Sequence, residues 1–277
     1  MRLDATRCAP EAARDSRFDA TEPATMRNGS TLAVFTLFGL VAGGCKTLDA
    51  TPDAGPVLPP DATLTEVFSE DRFFEGPLWS PKEGKLYFTA FGKDGQQILR
   101  LEKPGVVHVW MDKTEGINGT HRARDGRMLA AQVYGHRVLA LTLGGPSPRD
   151  VATLAHDPAW NQPNDVTQAP NGDIYFTDPN FKYNAASAVY RLRATPADRP
   201  PSALSSEPER IITDMAIPNG LVVANDGQTL YVADSFHKHW RAYPIADDGA
   251  VGPGRVIFDP PTDNRDDPDG MTIDEPG

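Results

Sequence analysis

From about Leu64 onward, apolar residues come in short runs rich in aromatic and β-branched side chains, separated by clusters of Gly, Pro, Asn and Asp. KLYFTAF after Gly84, DIYFTDP after Gly172 and TLYVADS after Gln228 are such runs, each long enough for one strand and too short for a helix. No long stretch keeps a helical period outside the N-terminal part. The pattern predicts an all-β chain, and closed all-β folds of this size form one domain.

The runs repeat. Five segments align: EGPLWSPKEGKLYFTAF from Glu75, NGTHRARDGRMLAAQV from Asn118, NDVTQAPNGDIYFTDP from Asn164, NGLVVANDGQTLYVADS from Asn219 and DGMTIDEPG from Asp269. Each opens on an acid or amide, usually followed by Gly, and reaches a second glycine eight or nine residues later: Gly84, Gly126, Gly172, Gly227 and Gly277. The openers lie 43, 46, 55 and 50 residues apart. Such a period, with several short strands per unit, belongs to propeller blades. The second glycine supplies the positive φ that a tight hairpin between the first two strands of a blade demands. Every opener then stands at the beginning of an innermost strand, and all five converge at one mouth of a central channel.

Any one opener alone is an ordinary turn residue. Five at the same phase are a candidate site, because a purely structural position tolerates Ser, Thr or Gly as well. One Glu, three Asn and one Asp make a set of hard oxygen donors with low net charge, which suits calcium rather than zinc.

The N-terminal part reads differently. MRNGSTLAVFTLFGLVAGGC, from Met26 to Cys45, has a basic start at Arg27, an apolar stretch from Leu32 to Ala42 and small residues before the cysteine. It resembles a bacterial lipoprotein signal over 26–45, with Cys45 as the lipidated residue and a bacterial cell-envelope location, periplasmic or facing the outer membrane. The apolar stretch is too short to span a bilayer. Residues 46–63 are rich in Pro, Asp, Thr and Ala and read as a disordered tether. Residues 1–25, which include Cys8, carry neither signal character nor periodicity and read as a mis-assigned start. Cys45 is then the only cysteine, so no disulfide forms.

A formal charge of −11 and a pI near 5.0, without a basic run, argue against a nucleic-acid partner. The expected partners are a small molecule in the channel and a membrane through the lipid anchor only.

EGP at Glu75, PND at Asn164 followed by YFTDP, PNGL at Asn219 followed by LYVADS, and PDGM at Asp269 together resemble the gluconolactonase family, six-bladed propellers grouped with regucalcin. The resemblance covers about 64–277. It implies one divalent ion, usually calcium, in the channel, held by Glu75, Asn219 and Asp269, with Asn164 either a fourth ligand or a substrate contact. Asn118 faces the substrate in the same phase. The implied chemistry is hydrolysis of a sugar lactone or similar ester, the metal polarising the carbonyl and Asp269 acting as general base. A non-catalytic sugar- or protein-binding propeller and an organophosphate hydrolase on the same metal site are the alternatives.

Other candidates weigh less. His121, His136, His156, His237 and His239 include a His-Lys-His run that reads as a surface turn rather than a transition-metal site. Ser80 and Ser235 lack an acid–histidine partner at motif spacing. Trp79, Trp110, Trp160 and Trp240 read as core or blade-packing residues. At roughly 48 residues per blade, six blades would need more chain than follows Asp269. The expectation is therefore a propeller cut to about four and a half blades, a fragment of a longer protein.

Overall fold

A computed structural model describes residues 59, 61–194, 207–260 and 267–274. The signal at 26–45 with Cys45, the segment 1–25, most of the tether 46–63 and the fifth glycine Gly277 lie outside the described residues. Among the described residues all regular structure is strand, and no helix is long and apolar enough to cross a membrane.

The strands form four four-stranded antiparallel sheets, each in chain order. The first holds β1 (Phe73–Ser80), β2 (Lys85–Gly92), β3 (Gly95–Lys103) and β4 (Val106–Met111). The second holds β5 (Ile117–Arg122), β6 (Met128–Gln132), β7 (Arg137–Leu141) and β8 (Val151–His156). The third holds β9 (Val166–Gln168), β10 (Ile174–Asp178), β11 (Ala188–Leu192) and β12 (Glu209–Ile212), and the fourth β13 (Pro218–Val223), β14 (Thr229–Asp234), β15 (His239–Pro244) and β16 (Arg255–Phe258). Each repeat of the sequence is thus one sheet, and the first strands β1, β5, β9 and β13 neighbour one another in that order. Asp269, the fifth opener, lies in 267–274 without regular structure.

The hairpin reading holds at all four described glycines. Gly84, Gly126, Gly172 and Gly227 have φ of 63°, 86°, 96° and 77°, between the first and second strand of each sheet. In this region a Cβ costs energy and glycine does not.

The core is built between sheets. Leu78, Tyr87, Ile98 and Trp110 of the first sheet pack with Ile117, Met128 and Leu139 of the second. Leu129, Ala131 and Val138 then pack with Val166, Ile174 and Phe176 of the third, and Tyr175 and Val189 with Leu221, Leu230 and Val232 of the fourth. Both faces of the second strands are buried, which explains why β6 and β10 are continuously apolar or small instead of alternating. Trp110 and Trp160 lie in this core and Trp240 is half-buried against Phe258. Trp79 does not: it is 55% exposed. Side chains alternate along β1, so with Leu78 and Ser80 turned inward, Trp79 must point out.

One buried ion pair ties the third sheet to the fourth. Arg191 Nε donates to Asp173 Oδ2 at 2.8 Å, Nη2 donates to Asp248 O at 2.7 Å, and Asp173 Oδ1 accepts Ala194 N–H. Both side chains are about nineteen-twentieths buried. Asp173→Ala leaves the guanidinium only the longer 3.7 Å pairing with the half-exposed Glu209, and the expected cost is about 3 kcal/mol. Urea unfolding checks this, as a lower midpoint at unchanged slope.

Candidate functional site

In three sheets a β-bulge lies at the opener: Asn118-Gly119 and Asn219-Gly220 sit inside theirs, and Glu75, itself still paired, immediately precedes one. Glu75 pairs with Thr89 and Leu78 with Tyr87; Ile117 pairs with Gln132 and Thr120 with Ala130; Pro218 pairs with Asp234 and Leu221 with Val232. Each of these first strands therefore carries one residue more than its partner, at Gly76-Pro77, Asn118-Gly119 and Asn219-Gly220. A bulge turns a side chain out of the regular alternation, which re-aims the opener.

The chain before each opener is held by the residue ending the second strand. Asp234 Oδ2 and Oδ1 accept Ala216 N–H and Ile217 N–H, just ahead of Asn219. Asp178 accepts Asn161 N–H and Gln162 N–H, just ahead of Asn164. In the second sheet Gln132 Nε2 donates to Thr114 O at 2.8 Å. These buried groups fix the entry to the innermost strands.

The glycines after the openers explain how close the innermost strands come. A Cβ on Gly76 would overlap Asn118 O, and one on Gly119 would lie 2.6 Å from Asp165 Cα and 2.7 Å from Asn164 O. One on Gly220 would overlap Asp269 O and lie 2.7 Å from Gly270 Cα. Gly119 N donates to Asn164 O at 2.7 Å, and Thr120 Oγ1 donates to Gly76 O at 2.7 Å. The backbones at Glu75, Asn118 and Asn219 are thereby seated on the next opener, and the Asp165 side chain bridges Asn164 to the Asn219 segment by accepting Leu221 N–H.

Glu75, Asn118, Asn164, Asn219 and Asp269 thus fall on one contiguous arc. Asn118, Asn164 and Asn219 are buried and Glu75 is half-buried. Asp269 is exposed as a whole residue although protein crowds its carboxyl beside Asn219, and its loop is tied down by Ser235 Oγ donating to Pro268 O at 2.6 Å and by Asn225 Nδ2 donating to Asp274 O. Asn219 Nδ2 donates to Ser235 Oγ at 3.0 Å, and its amide also hydrogen-bonds the Asp269 carboxylate. The carbonyl oxygens Oδ1 of Asn118 and Asn219 are buried without any hydrogen-bond partner. An unmatched buried acceptor is costly, and two of them at corresponding openers point to an occupant that accepts oxygen lone pairs.

The charges say the same. Burial pushes the Glu75 carboxyl up, with the charges of Asp269 and Asp165 adding to the shift. Asp165 is pushed up to about 7 by burial, with Asp269 adding to it against the backbone N–H groups of Val166 and Leu221. Burial also raises Asp269. A cation among them relieves the repulsion, and amide and carboxylate oxygens are the donors that a hard cation prefers. The residues present therefore fit a divalent ion.

Raised carboxyl pKa values mean that the cation-free folded protein holds protons at a pH where the unfolded chain has released them. The contribution of these groups to stability is therefore fully present below the ordinary carboxylate range and is lost as pH rises through about 7. Thermal unfolding in chelator should show Tm falling from pH 5 to pH 8, and added calcium should raise Tm more at pH 8 than at pH 5.

Asp165 is absent from the openers because it stands one place after Asn164. The signal for it was its break with the repeat: the other four openers are followed by Gly76, Gly119, Gly220 and Gly270.

Ser80 Oγ donates to Glu83 at 3.0 Å, a turn contact, whereas Ser235 sits at the site through Asn219. His121 is pushed down to about 4 by burial, with Arg122 beside it, and is neutral at physiological pH. His237, in the turn after β14, and His239, at the start of β15, do form a group with Asp234: their ligand atoms lie within 4.8 Å of one another. The Asp234 oxygens are already engaged by the N–H groups of Ala216, Ile217, Phe236 and His237 and by His237 Nδ1. Asp178 plays the same backbone role without any histidine pair, so the carboxylate is there for the fold.

Known proteins align with this region. The chain is 28% identical over 219 residues to the pentonolactonase XacC of Haloferax volcanii, covering 78% of this chain and 68% of that protein. It is 25% identical over 236 residues to the gluconolactonase of Zymomonas mobilis, covering 75% of this chain and 58% of that one. The solved gluconolactonase of Xanthomonas campestris superposes with a TM-score of 0.59 at 25% identity, over 74% of this chain and 68% of its own. The model of the SMP-30/gluconolactonase/LRE-like region matches residues 73–277, which takes in all four sheets, every bulged opener and Asp269. The chain belongs to the SMP-30/gluconolactonase/LRE-like family.

Proposed function

We propose that the protein hydrolyses a sugar lactone, with a calcium ion held by Glu75, Asn164, Asn219 and Asp269 in a six-bladed propeller. The observation that carries this reading is the pair of unpartnered buried amide oxygens, on Asn118 and Asn219, beside carboxyl groups that repel one another. The lactonase names of the aligned relatives supply the substrate class.

Bound there, calcium supplies Lewis-acid polarisation of the lactone carbonyl. Asp269 takes the proton from the water that attacks the carbonyl carbon. Asn118 and Asn164, rigid on bulged or tightly seated backbone, orient the ring and its hydroxyl groups. The proton on Asp269 then goes to the ring oxygen as the carbon–oxygen bond opens, which leaves the hydroxy acid.

A pH-stat assay with D-gluconolactone and a pentonolactone tests the reading. Hydrolysis should stop after exhaustive chelation and return with calcium. An unchanged rate on complete metal removal would sink it. Cys45 is proposed as a lipid anchor that holds the domain at the cell envelope. Labelled palmitate should enter the wild-type chain in a bacterial host and not Cys45→Ala.

A further inference from the structure

Asp165 occupies the place that glycine holds after the other four openers, and at Gly76, Gly119 and Gly220 the neighbouring opener segment comes too close for any side chain. Its two oxygens are both engaged. Oδ1 accepts Val166 N–H at 2.8 Å, and Oδ2 accepts Leu221 N–H at 3.1 Å. Oδ1 also lies against the Cα of Gly119, so closely that a methyl group there would overlap it. One side chain thus touches β5, β9 and β13, the strands that follow or carry Asn118, Asn164 and Asn219.

The Leu221 contact matters most. Leu221 closes the bulge that contains Asn219 and Gly220, since regular pairing resumes there with Val232. Holding its N–H fixes the far end of the bulge while Asp234 fixes the near end through Ile217. Between these two carboxylates, Asn219 is left with an oxygen that nothing in the protein satisfies.

We propose that Asp165 is a positioning residue of the cation site: it aims Asn219 by clamping Leu221, without itself touching the ion. This rests on the reading of the arc as a calcium site. Residues behind metal ligands that orient them typically change affinity about 10–100-fold when removed. A staple that merely joined three strands would lower stability and leave affinity alone.

Two variants separate these roles in the full chain. Asp165→Asn keeps the volume and removes the charge, and Asp165→Gly installs the residue that the fold accepts at the other four repeats. Calcium binding is read by isothermal titration with calcium chloride on chelator-stripped protein, and folding by circular dichroism. The expected result is a Kd about 10–100-fold weaker in each folded variant, with a smaller calcium-induced rise in Tm. A Kd within twofold of wild type in either folded variant overturns the proposal and leaves the calcium site standing. A wild-type chain that takes up no calcium overturns the calcium site and this proposal together.

Discussion

Asp269→Asn is expected to lower lactone hydrolysis about 10²–10⁴-fold, the range for loss of a general base, while the protein stays folded. The carboxylate makes two contacts that an amide can keep. Its Oδ1 accepts Gly270 N–H at 2.9 Å, and an amide oxygen does so equally well. Its hydrogen bond with Asn219 needs only an oxygen acceptor or a rotated amide. What an amide cannot do is take a proton from water. Removing the charge also relieves the Glu75 carboxyl, which Asp269 pushes up. In chelator at pH 8 the variant should therefore be at least as stable as wild type, although inactive. A variant that keeps more than a tenth of the wild-type rate would remove Asp269 from the chemistry.

Gly119→Ala is expected to cost about 3 kcal/mol from a single methyl group, at the top of the usual overpacking range. The added carbon meets Asp165 Cα and Asn164 O, which are main-chain atoms held by their own hydrogen bonds, so it cannot be accommodated by a rotamer change. To make room, β5 must move away from the Asn164-Asp165 segment. That breaks the 2.7 Å bond from Gly119 N to Asn164 O and displaces two openers at once. Gly126→Ala is the contrast. It has a φ of 86° but nothing within 4 Å of an added Cβ, so only backbone strain of about 1–2 kcal/mol is expected. Chemical denaturation of the two variants side by side should separate close approach from backbone conformation. Gly119→Ala should also weaken calcium binding, and Gly126→Ala should not.

The repeat was legible because it is written in local chemistry. A turn glycine with positive φ, a short strand and an acid or amide at fixed phase are each set by residues within ten positions of one another, and Gly84, Gly126, Gly172 and Gly227 all behave as that chemistry requires. The openers were found by the same phase. The bulges were not, because an alternating pattern identifies a strand but does not say where its register slips by one residue against a partner. Trp79 was misjudged for a related reason. Being aromatic makes a residue a good candidate for the core, but which face of β1 it occupies depends on a pairing that single-strand patterning leaves open.

Asp165 marks the boundary between the two kinds of information. Its departure from glycine is visible in the sequence, yet its meaning lies in contacts with Gly119, 46 residues before it, and Leu221, 56 residues after it. By itself the amino-acid sequence determined the all-β class, the repeat, the five openers and the family, because short-range spacing and residue type are enough for these. Only the tertiary structure decided that the glycines after the openers let the strands close on one another, and that two amide oxygens are left unmatched. It also decided that a sixth side chain stands among the five. Burial and unmet hydrogen bonds are properties of neighbours distant in the chain, and they exist only once the sheets have packed.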